Sequence, residues 1–256
     1  MIPKIVHFIY FSSPEFPLYA YLAVKSASVT LRPDKIFLYR GHNAPVLDGE
    51  WWERARNFVE VISVEPPATV FGRPLLHVAH RADVFRLKLL IEMGGIYLDL
   101  DTICRRSFDC LLNYECVMGH QTKDEGYGLC NAVMLARPGS IFLKSWLDEY
   151  SSFRSSGLDQ YWDEHSVRLP LKLAVTILKS DPRRLRIEPQ LSFFDPGFNV
   201  DGLRRLFEDN ETFPDAFCHH LWYSYSNNRY LKRLSPAVIR TVDTSYNILS
   251  RPLLDA

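Results

Sequence analysis

The chain has 256 residues, 47% of them hydrophobic and 23% charged, with 30 Lys and Arg set against 30 Asp and Glu. That is enough chain to bury one sizeable α/β core, and both values sit in the ordinary globular range, so disorder is not the default. The formal net charge of +0 and the lack of a long basic run argue against nucleic-acid binding driven by charge; the one basic cluster, Arg183, Arg184 and Arg186, has the ordinary reading of a solvated turn.

In chain order, residues 4–10 predict a strand rich in Ile, Val, Phe and Tyr, which Pro14 and Pro17 interrupt. Residues 18–30 predict a helix ended by Arg32-Pro33-Asp34, and residues 35–39 a second strand. Strand, helix and strand at this spacing open a parallel sheet. A helix over 51–58 and a third strand over 59–64 follow, then a loop from Pro66-Pro67 to His77. Residues 78–93 give the clearest helix, with Ala82, Phe85, Leu87, Leu89, Leu90 and Ile91 at helical spacing. Gly94-Gly95 ends it, since glycine tolerates a left-handed cap. Residues 96–101 read as a strand, 131–136 as another, 140–150 as a helix and 151–190 as mostly helical. The last third is polar-aromatic without a clear period. No repeat or low-complexity segment interrupts the chain.

Asp99-Leu100-Asp101 is the first candidate for chemistry. On a strand, Ile96, Leu98 and Leu100 share one face, and Tyr97, Asp99 and Asp101 the other. The two carboxylates then stand about 6–7 Å apart along the backbone, at the strand's carboxyl end, where open α/β sheets bind ligands. Two like charges on an apolar strand are costly without a cation. A divalent ion on hard oxygen ligands would supply one, and would act as a Lewis acid on a departing diphosphate. A bare Asp-x-Asp also arises where a strand end simply enters solvent. Asp83 and Arg86, three apart on one helical face, form either a local ion pair or a pair of sugar-hydroxyl partners.

The run His80-Arg81-Ala82-Asp83-Val84-Phe85-Arg86, continued through Gly94-Gly95-Ile96-Tyr97-Leu98 to Asp99-Leu100-Asp101, resembles the signature of the DXD-containing "sugar-binding region" glycosyltransferases. That group is similar to initiating mannosyltransferases, Golgi α-1,4-galactosyltransferases and clostridial glucosylating toxins. The strong match covers residues 80–101, and weaker similarity runs through most of the chain. Residues 2–10 resemble the family's first strand, with Tyr10 where members usually carry Trp.

The resemblance implies a GT-A-like α/β fold, a mostly parallel central sheet flanked by helices with helical additions. It implies one domain over 1–256, with a nucleotide-sugar-binding part at about 1–140 and an acceptor and site-closing part at about 141–256. It also implies Mn²⁺ or Mg²⁺ and retaining transfer. Carried onto this chain, Tyr10 stacks on the base, Asp83 and Arg86 meet the donor sugar, Asp99 reaches ribose or metal, and Asp101 holds the metal; Tyr97 joins the donor-binding set. His219-His220-Leu221-Trp222 resembles a C-terminal His-x-Trp segment of galactosyltransferase relatives, making His220 a candidate third ligand and Trp222 a cover for the diphosphate. A histidine with no ligand role and a core tryptophan are the alternatives. Asn131 resembles an asparagine that approaches the sugar. Glu164 falls where relatives contact sugars, or else at a solvated helix start. Asp101, Arg86 and Glu164 form the candidate catalytic set, with no nucleophile assigned.

The expected function is metal-dependent hexosyl transfer from a UDP- or GDP-linked sugar to a glycan, glycolipid or other hydroxyl acceptor, as in surface polysaccharide synthesis. One competing reading is a non-catalytic carbohydrate-binding protein on the same fold. The other is a sugar-phosphate nucleotidyltransferase, which would need a Gly-rich basic loop where this chain has Ser12-Ser13-Pro14-Glu15. Five cysteines without a Cys-x-x-Cys pair read as reduced thiols. No leader pattern and no run of about 18 apolar residues is visible. The expectation is therefore a cytoplasmic protein, with peripheral contact to the inner face of a membrane left open.

Overall fold

The computed structural model describes residues 1–11 and 13–255; Ser12 and Ala256 lie outside them. The elements run β1 (Ile5–Ile9), α1 (Leu18–Leu31), β2 (Lys35–Gly41), α2 (Glu50–Ala55), β3 (Glu60–Val64), β4 (Thr69–Val70), β5 (Arg73–Pro74), α3 (Val78–Met93), β6 (Gly95–Leu98), β7 (Thr102–Cys104), β8 (Cys116–His120) and β9 (Leu129–Ala136). There follow α4 (Ile141–Asp148), α5 (Leu169–Ser180), β10 (Arg186–Glu188), α6 (Gln190–Phe193), α7 (Val200–Phe207), β11 (Cys218–His220), α8 (Tyr223–Ser226), α9 (Pro236–Thr241) and α10 (Ser245–Asp255). No helix among the described residues is long and apolar enough to cross a membrane.

The central sheet has seven strands in the order β10-β8-β9-β6-β1-β2-β3. β1 pairs in parallel with both β2 and β6, β2 with β3, and β10 with β8. Only β9 runs against its neighbours, β6 and β8. The expected α/β architecture with a mostly parallel sheet and flanking helices is what the chain forms. Strand alternation sorts the core: Val6, Phe8, Ile96 and Leu98 pack with α1 and with Tyr246 and Leu253 of α10. Tyr97 and Met134 pack on the other face with Val84, Leu87 and Leu90 of α3 and Phe142 and Trp146 of α4.

Three local expectations are corrected. The 66–77 stretch is not all loop, because Thr69–Val70 and Arg73–Pro74 pair as a short hairpin. The 151–190 stretch is only partly helical and ends in a sheet strand, β10. Most important, the strand ends at Leu98. Asp99, Leu100 and Asp101 form a turn closed by Thr102 N–H and the Thr102 hydroxyl, which donate to Asp99 O at 3.1 and 2.8 Å. The two aspartates therefore converge because the chain turns, not because a pleat repeats.

The junction that aims this turn is built on His7, a fully buried residue on the opposite face of β1 from Val6 and Phe8. Its Nε2 lies 2.9 Å from Gly94 O and its Nδ1 3.1 Å from the Tyr39 hydroxyl. A carbonyl only accepts, so Nε2 carries the proton and Nδ1 accepts from Tyr39. A side chain at Gly95, whose φ is +110°, would place its Cβ 2.6 Å from His7 Nε2; one at Gly94 would sit 2.5 Å from Pro138 Cδ. The Gly-Gly pair thus brings α3 into β6 at a distance no larger residue allows.

Burial lowers the His7 pKa from 6.5 to about 4, against the opposing hydrogen bond to Gly94. His219, bonded through Nδ1 to Asp195 O, is lowered to about 4 in the same way. A pKa depressed on folding means the folded state refuses a proton the unfolded chain accepts. Stability is therefore full above pH about 6.5 and falls as pH drops toward about 4, by up to about 3 kcal/mol for each histidine. Urea unfolding followed across that range will show the loss, and His7→Gln will flatten about half of it; an unchanged slope in the variant would assign the loss elsewhere.

Candidate active site

Two adjoining cavities open at the carboxyl ends of β1 and β6. The larger, about 710 Å³, is lined by Tyr10, Tyr19, Trp51 and Tyr223 and by Arg86, Asp99, Asp101 and Lys232, among others. The smaller, about 300 Å³, is more polar and is lined by Asp83, Asn131, Gln121, Tyr127, Asp163 and His220, with Trp222 and Tyr225. Arg86, Asp99, Asp101 and Tyr223 belong to both.

Arg86 organises the junction from α3, with its side chain only 6% exposed. Its Nη2 is 3.3 Å from Asp83 Oδ1 and its Nη1 is 3.1 Å from Asp99 Oδ1. Nη1 also donates to Asn131 O at 2.8 Å, and the guanidinium lies 4.4 Å from the centre of the Tyr97 ring. Burial alone would favour its neutral form, but Asp99, Tyr97 and Asp83 around it hold its pKa above the ordinary arginine value. The Tyr97 hydroxyl donates to Asp99 Oδ1 at 2.5 Å, and burial raises the Tyr97 pKa well above its usual value. Asn131 Nδ2 donates to Asp83 Oδ1 at 2.8 Å.

His220 arrives from β11, which pairs antiparallel with β7 so that His220 faces Thr102. Its Nε2 lies 3.1 Å from Asp101 Oδ2. After His220 the chain turns through Trp222, whose φ of +56° lies in the left-handed region that bulky residues avoid. The Trp222 indole donates to Pro196 O at 3.0 Å and its ring lies 4.2 Å from that of His220. The turn delivers the Tyr223 N–H to Asp101 Oδ2 at 2.7 Å.

A pattern recurs at all three carboxylates. The contacts to Asp83 and to Asp99 each fall on Oδ1, and those to Asp101 on Oδ2. Among the described residues, the hydrogen bonds that orient each group thus fall on one of its two oxygens. Burial raises the Asp99 pKa, opposed by Arg86. Burial acts the same way on Asp101, but the charge and hydrogen bond of His220 and the Tyr223 N–H outweigh it and hold Asp101 low. Asp101 in turn overcomes burial at His220 and raises its pKa well above the usual histidine value.

Asp99, Asp101 and His220 offer ligand atoms that all lie within 4.8 Å of one another. Two carboxylates and an imidazole suit a divalent ion such as Mn²⁺, so the residues present fit one. Because a ligating imidazole must be neutral, binding there would release the His220 proton.

The structure thus brings Tyr10, Asp83, Arg86, Tyr97, Asp99, Asp101, Asn131, His220 and Trp222 to the two cavities. Glu164 lines neither; it pairs with Arg154 at 2.6 Å. Asp163, next to Glu164 in the segment where the resemblance places sugar contacts, does line the smaller cavity. Tyr19, Trp51, Tyr223 and Lys232 on the larger cavity and Tyr127 on the smaller carry no motif; the aromatic ones have only an excess of aromatics beside loops as a sequence signal, and Lys232 has none.

Residues 24–118 match the family described as glycosyltransferase sugar-binding region containing DXD motif. The chain is 34% identical over 272 aligned positions to Glucan organizing enzyme 1 of Cryptococcus neoformans var. grubii, covering 99% of this chain and 71% of that protein. It is 43% identical over 63 residues to Inositol phosphoceramide mannosyltransferase 3 of Schizosaccharomyces pombe, covering 25% of this chain and 17% of that protein. Among solved structures, the galactosyltransferase LgtC in complex with donor and acceptor sugar analogs aligns at a TM-score of 0.46 and 14% identity, over 98% of this chain and 95% of that one.

Removing one member of a buried ion cluster leaves the others uncompensated. Arg86→Ala will lower the unfolding free energy by about 3–5 kcal/mol, whereas Glu164→Gln, which loosens a pair with the half-exposed Arg154, will cost less than about 1 kcal/mol. Denaturant unfolding of the two variants checks this; equal losses would place Arg86 outside the cluster's support.

Proposed function

The chain belongs to the DXD-containing glycosyltransferases, and from that premise we propose that it moves a hexose from a nucleoside diphosphate sugar to a hydroxyl acceptor, with a divalent metal and with retention of configuration. The observation that carries this reading is the acidic junction between an aromatic-lined cavity and a polar one, where Asp99, Asp101 and His220 bring ligand atoms within 4.8 Å of one another.

The aromatic cavity suits a planar base, with Tyr10, Tyr19, Trp51 and Tyr223 offering faces and edges for stacking. The polar cavity suits a sugar: the Asp83 carboxylate accepts from a hydroxyl while Asn131 and Arg86 hold it still. Asp99, Asp101 and His220 would hold the metal, which when bound supplies Lewis acidity to the diphosphate. Arg86 is better read as the support of Asp83 and Asp99 than as a partner of the diphosphate, because its donors are already committed to Asp83, Asp99 and Asn131. Lys232 is the other cation on the larger cavity. It is exposed and, among the described residues, its ammonium donates to Asn228 Oδ1 at 3.0 Å, so it can turn its charge to the leaving phosphate, where charge develops in the transition state.

The names of the two relatives concern a glucan and an inositol phosphoceramide. They agree with a glycan or glycolipid acceptor in surface polysaccharide assembly. The five unpaired cysteines agree with a reducing, cytoplasmic setting. Against the nucleotidyltransferase reading, the loop after β1 carries Ser13, Pro14 and Glu15 and no glycine-rich basic turn.

Mn²⁺ with UDP or GDP will raise the melting temperature of the wild type, and Asp101→Asn will abolish the metal-dependent part of that rise along with turnover. A full metal response in Asp101→Asn would remove it from the site. Lys232→Ala will lower kcat by about 10- to 100-fold, the scale of a lost transition-state contact, while sparing Mn²⁺ binding. Unaltered steady-state turnover in that variant would deny Lys232 the phosphate role.

A further inference from the structure

Arg40, near the carboxyl end of β2, is a buried cation that the chemistry above does not use; it is 5% exposed. Its Nη1 donates to Tyr10 O at 2.6 Å and to Ser13 O at 2.9 Å, and its Nη2 donates to Pro45 O at 2.6 Å. Its Cζ stands 5.3 Å from the centre of the Tyr10 ring. All three acceptors are backbone carbonyls, one group in the loop after β1 and one in the loop after β2. None of these hydrogen bonds goes to a carboxylate. Burying a charge without a counter-ion is an expensive way to fill space, and an apolar side chain of similar length would do so at lower cost. The placement of the guanidinium therefore calls for a positional reason.

That reason lies in what the two loops carry. The loop after β1 presents Tyr10, Ser13, Glu15 and Pro17 to the larger cavity. The Tyr10 hydroxyl reaches back to Glu15 O, and the Phe16 ring meets the Tyr10 ring edge-on at 5.6 Å. Among the described residues, the other backbone tie between this loop and the one after β2 is a bridge between Glu15 and Asp48, in which Asp48 N–H donates to Pro14 O at 3.3 Å. The planar fork of Arg40 reaches both loops at once, which a point-charge ammonium does not do. Its charge also backs the ring of Tyr10, a favourable cation–π arrangement.

We propose that Arg40 is a positioning residue for the nucleobase of the donor: it fixes the loop after β1 so that Tyr10 presents one ring orientation to the larger cavity. The proposal rests on the reading of Tyr10 as the surface on which the base stacks. Affinity is gained by such pre-ordering, because a loop already held in its bound shape loses less freedom on binding.

Arg40→Lys keeps the charge and loses the fork. Calorimetry with UDP and with GDP, each with Mn²⁺, and steady-state kinetics with the corresponding nucleotide-sugar are the readouts. The nucleotide Kd and the donor KM will rise about tenfold, a loss of about 1.4 kcal/mol, with kcat at saturating donor within about twofold and acceptor KM unchanged. Should Arg40→Lys yield no folded protein, Arg40→Gln, which keeps two N–H donors without the charge, carries the same comparison. In a Tyr10→Ala background the Arg40 effect on nucleotide affinity will vanish, because the residue acts through Tyr10. Loss of kcat alone, an unchanged Kd, or an effect that simply adds to that of Tyr10→Ala would overturn the proposal while leaving base stacking intact. Unaltered nucleotide affinity in Tyr10→Ala, or no binding of either nucleotide by the wild type, would instead overturn the stacking reading itself.

Discussion

One guanidinium sets the geometry of the site. Arg86 stands between Asp83 on its own helix and Asp99 beyond the next strand, and it also holds a carbonyl of β9 through Asn131. Three elements that meet at the sheet are thereby fixed around one charge that burial would otherwise expel. The carboxylates need the cation as much as the cation needs them, because neither sign is tolerable alone in so dry a setting. Tyr97 completes the arrangement by covering the guanidinium with its ring and donating its hydroxyl to Asp99. The same cluster lines both cavities, so a structural ion network also forms part of the cavity wall.

Much of this was legible in the residues. The α3 boundaries at Val78 and Met93 follow from apolar spacing and the paired glycines, and the βαβ start follows from apolar runs separated by proline. The approach of Asp83 and Arg86 follows from helical spacing, and family resemblance brought His220 into consideration before any contact was known. The approach of Asp99 and Asp101 has a different origin from the strand pleat that the residues suggest: alternation holds through Leu98 and then gives way to a turn. Periodicity cannot announce that change, since a short turn and a strand end share the same composition. Lys232, Tyr19 and Trp51 were missed for a different reason. They belong to separate segments that only tertiary packing gathers, and each is unremarkable where it stands. Glu164 had the right neighbourhood in sequence but the wrong direction, because Arg154 claims its carboxylate.

The division into an aromatic cavity and a polar one follows from which elements border each. The loop after β1, α1 and α2 supply rings to the larger space through Tyr10, Tyr19 and Trp51, whereas β9 and the segment before α5 supply amide and carboxylate groups to the smaller through Asn131 and Asp163. The acidic turn lies where the two meet. A donor with an apolar planar end and a hydroxylated end would find its diphosphate over that turn without any group having to move far, the pre-ordering that transfer between bound partners requires.

The two-stranded pairing of β11 with β7 carries a consequence for how the protein is made. Asp101 and the Tyr223 amide that fixes it are 122 residues apart in the chain. The central sheet closes earlier in sequence, with all but β10 of its strands complete by Ala136. A folding species can therefore possess the acidic turn, and even much of the core, before His220 and the Tyr223 amide reach Asp101. Contacts across so long a stretch of chain close late, because the entropy of bringing their ends together must be met before the contact exists. The bonds that orient Asp101 are thus acquired only when the segment carrying β11 docks on β7, and until then the acidic turn stands without them.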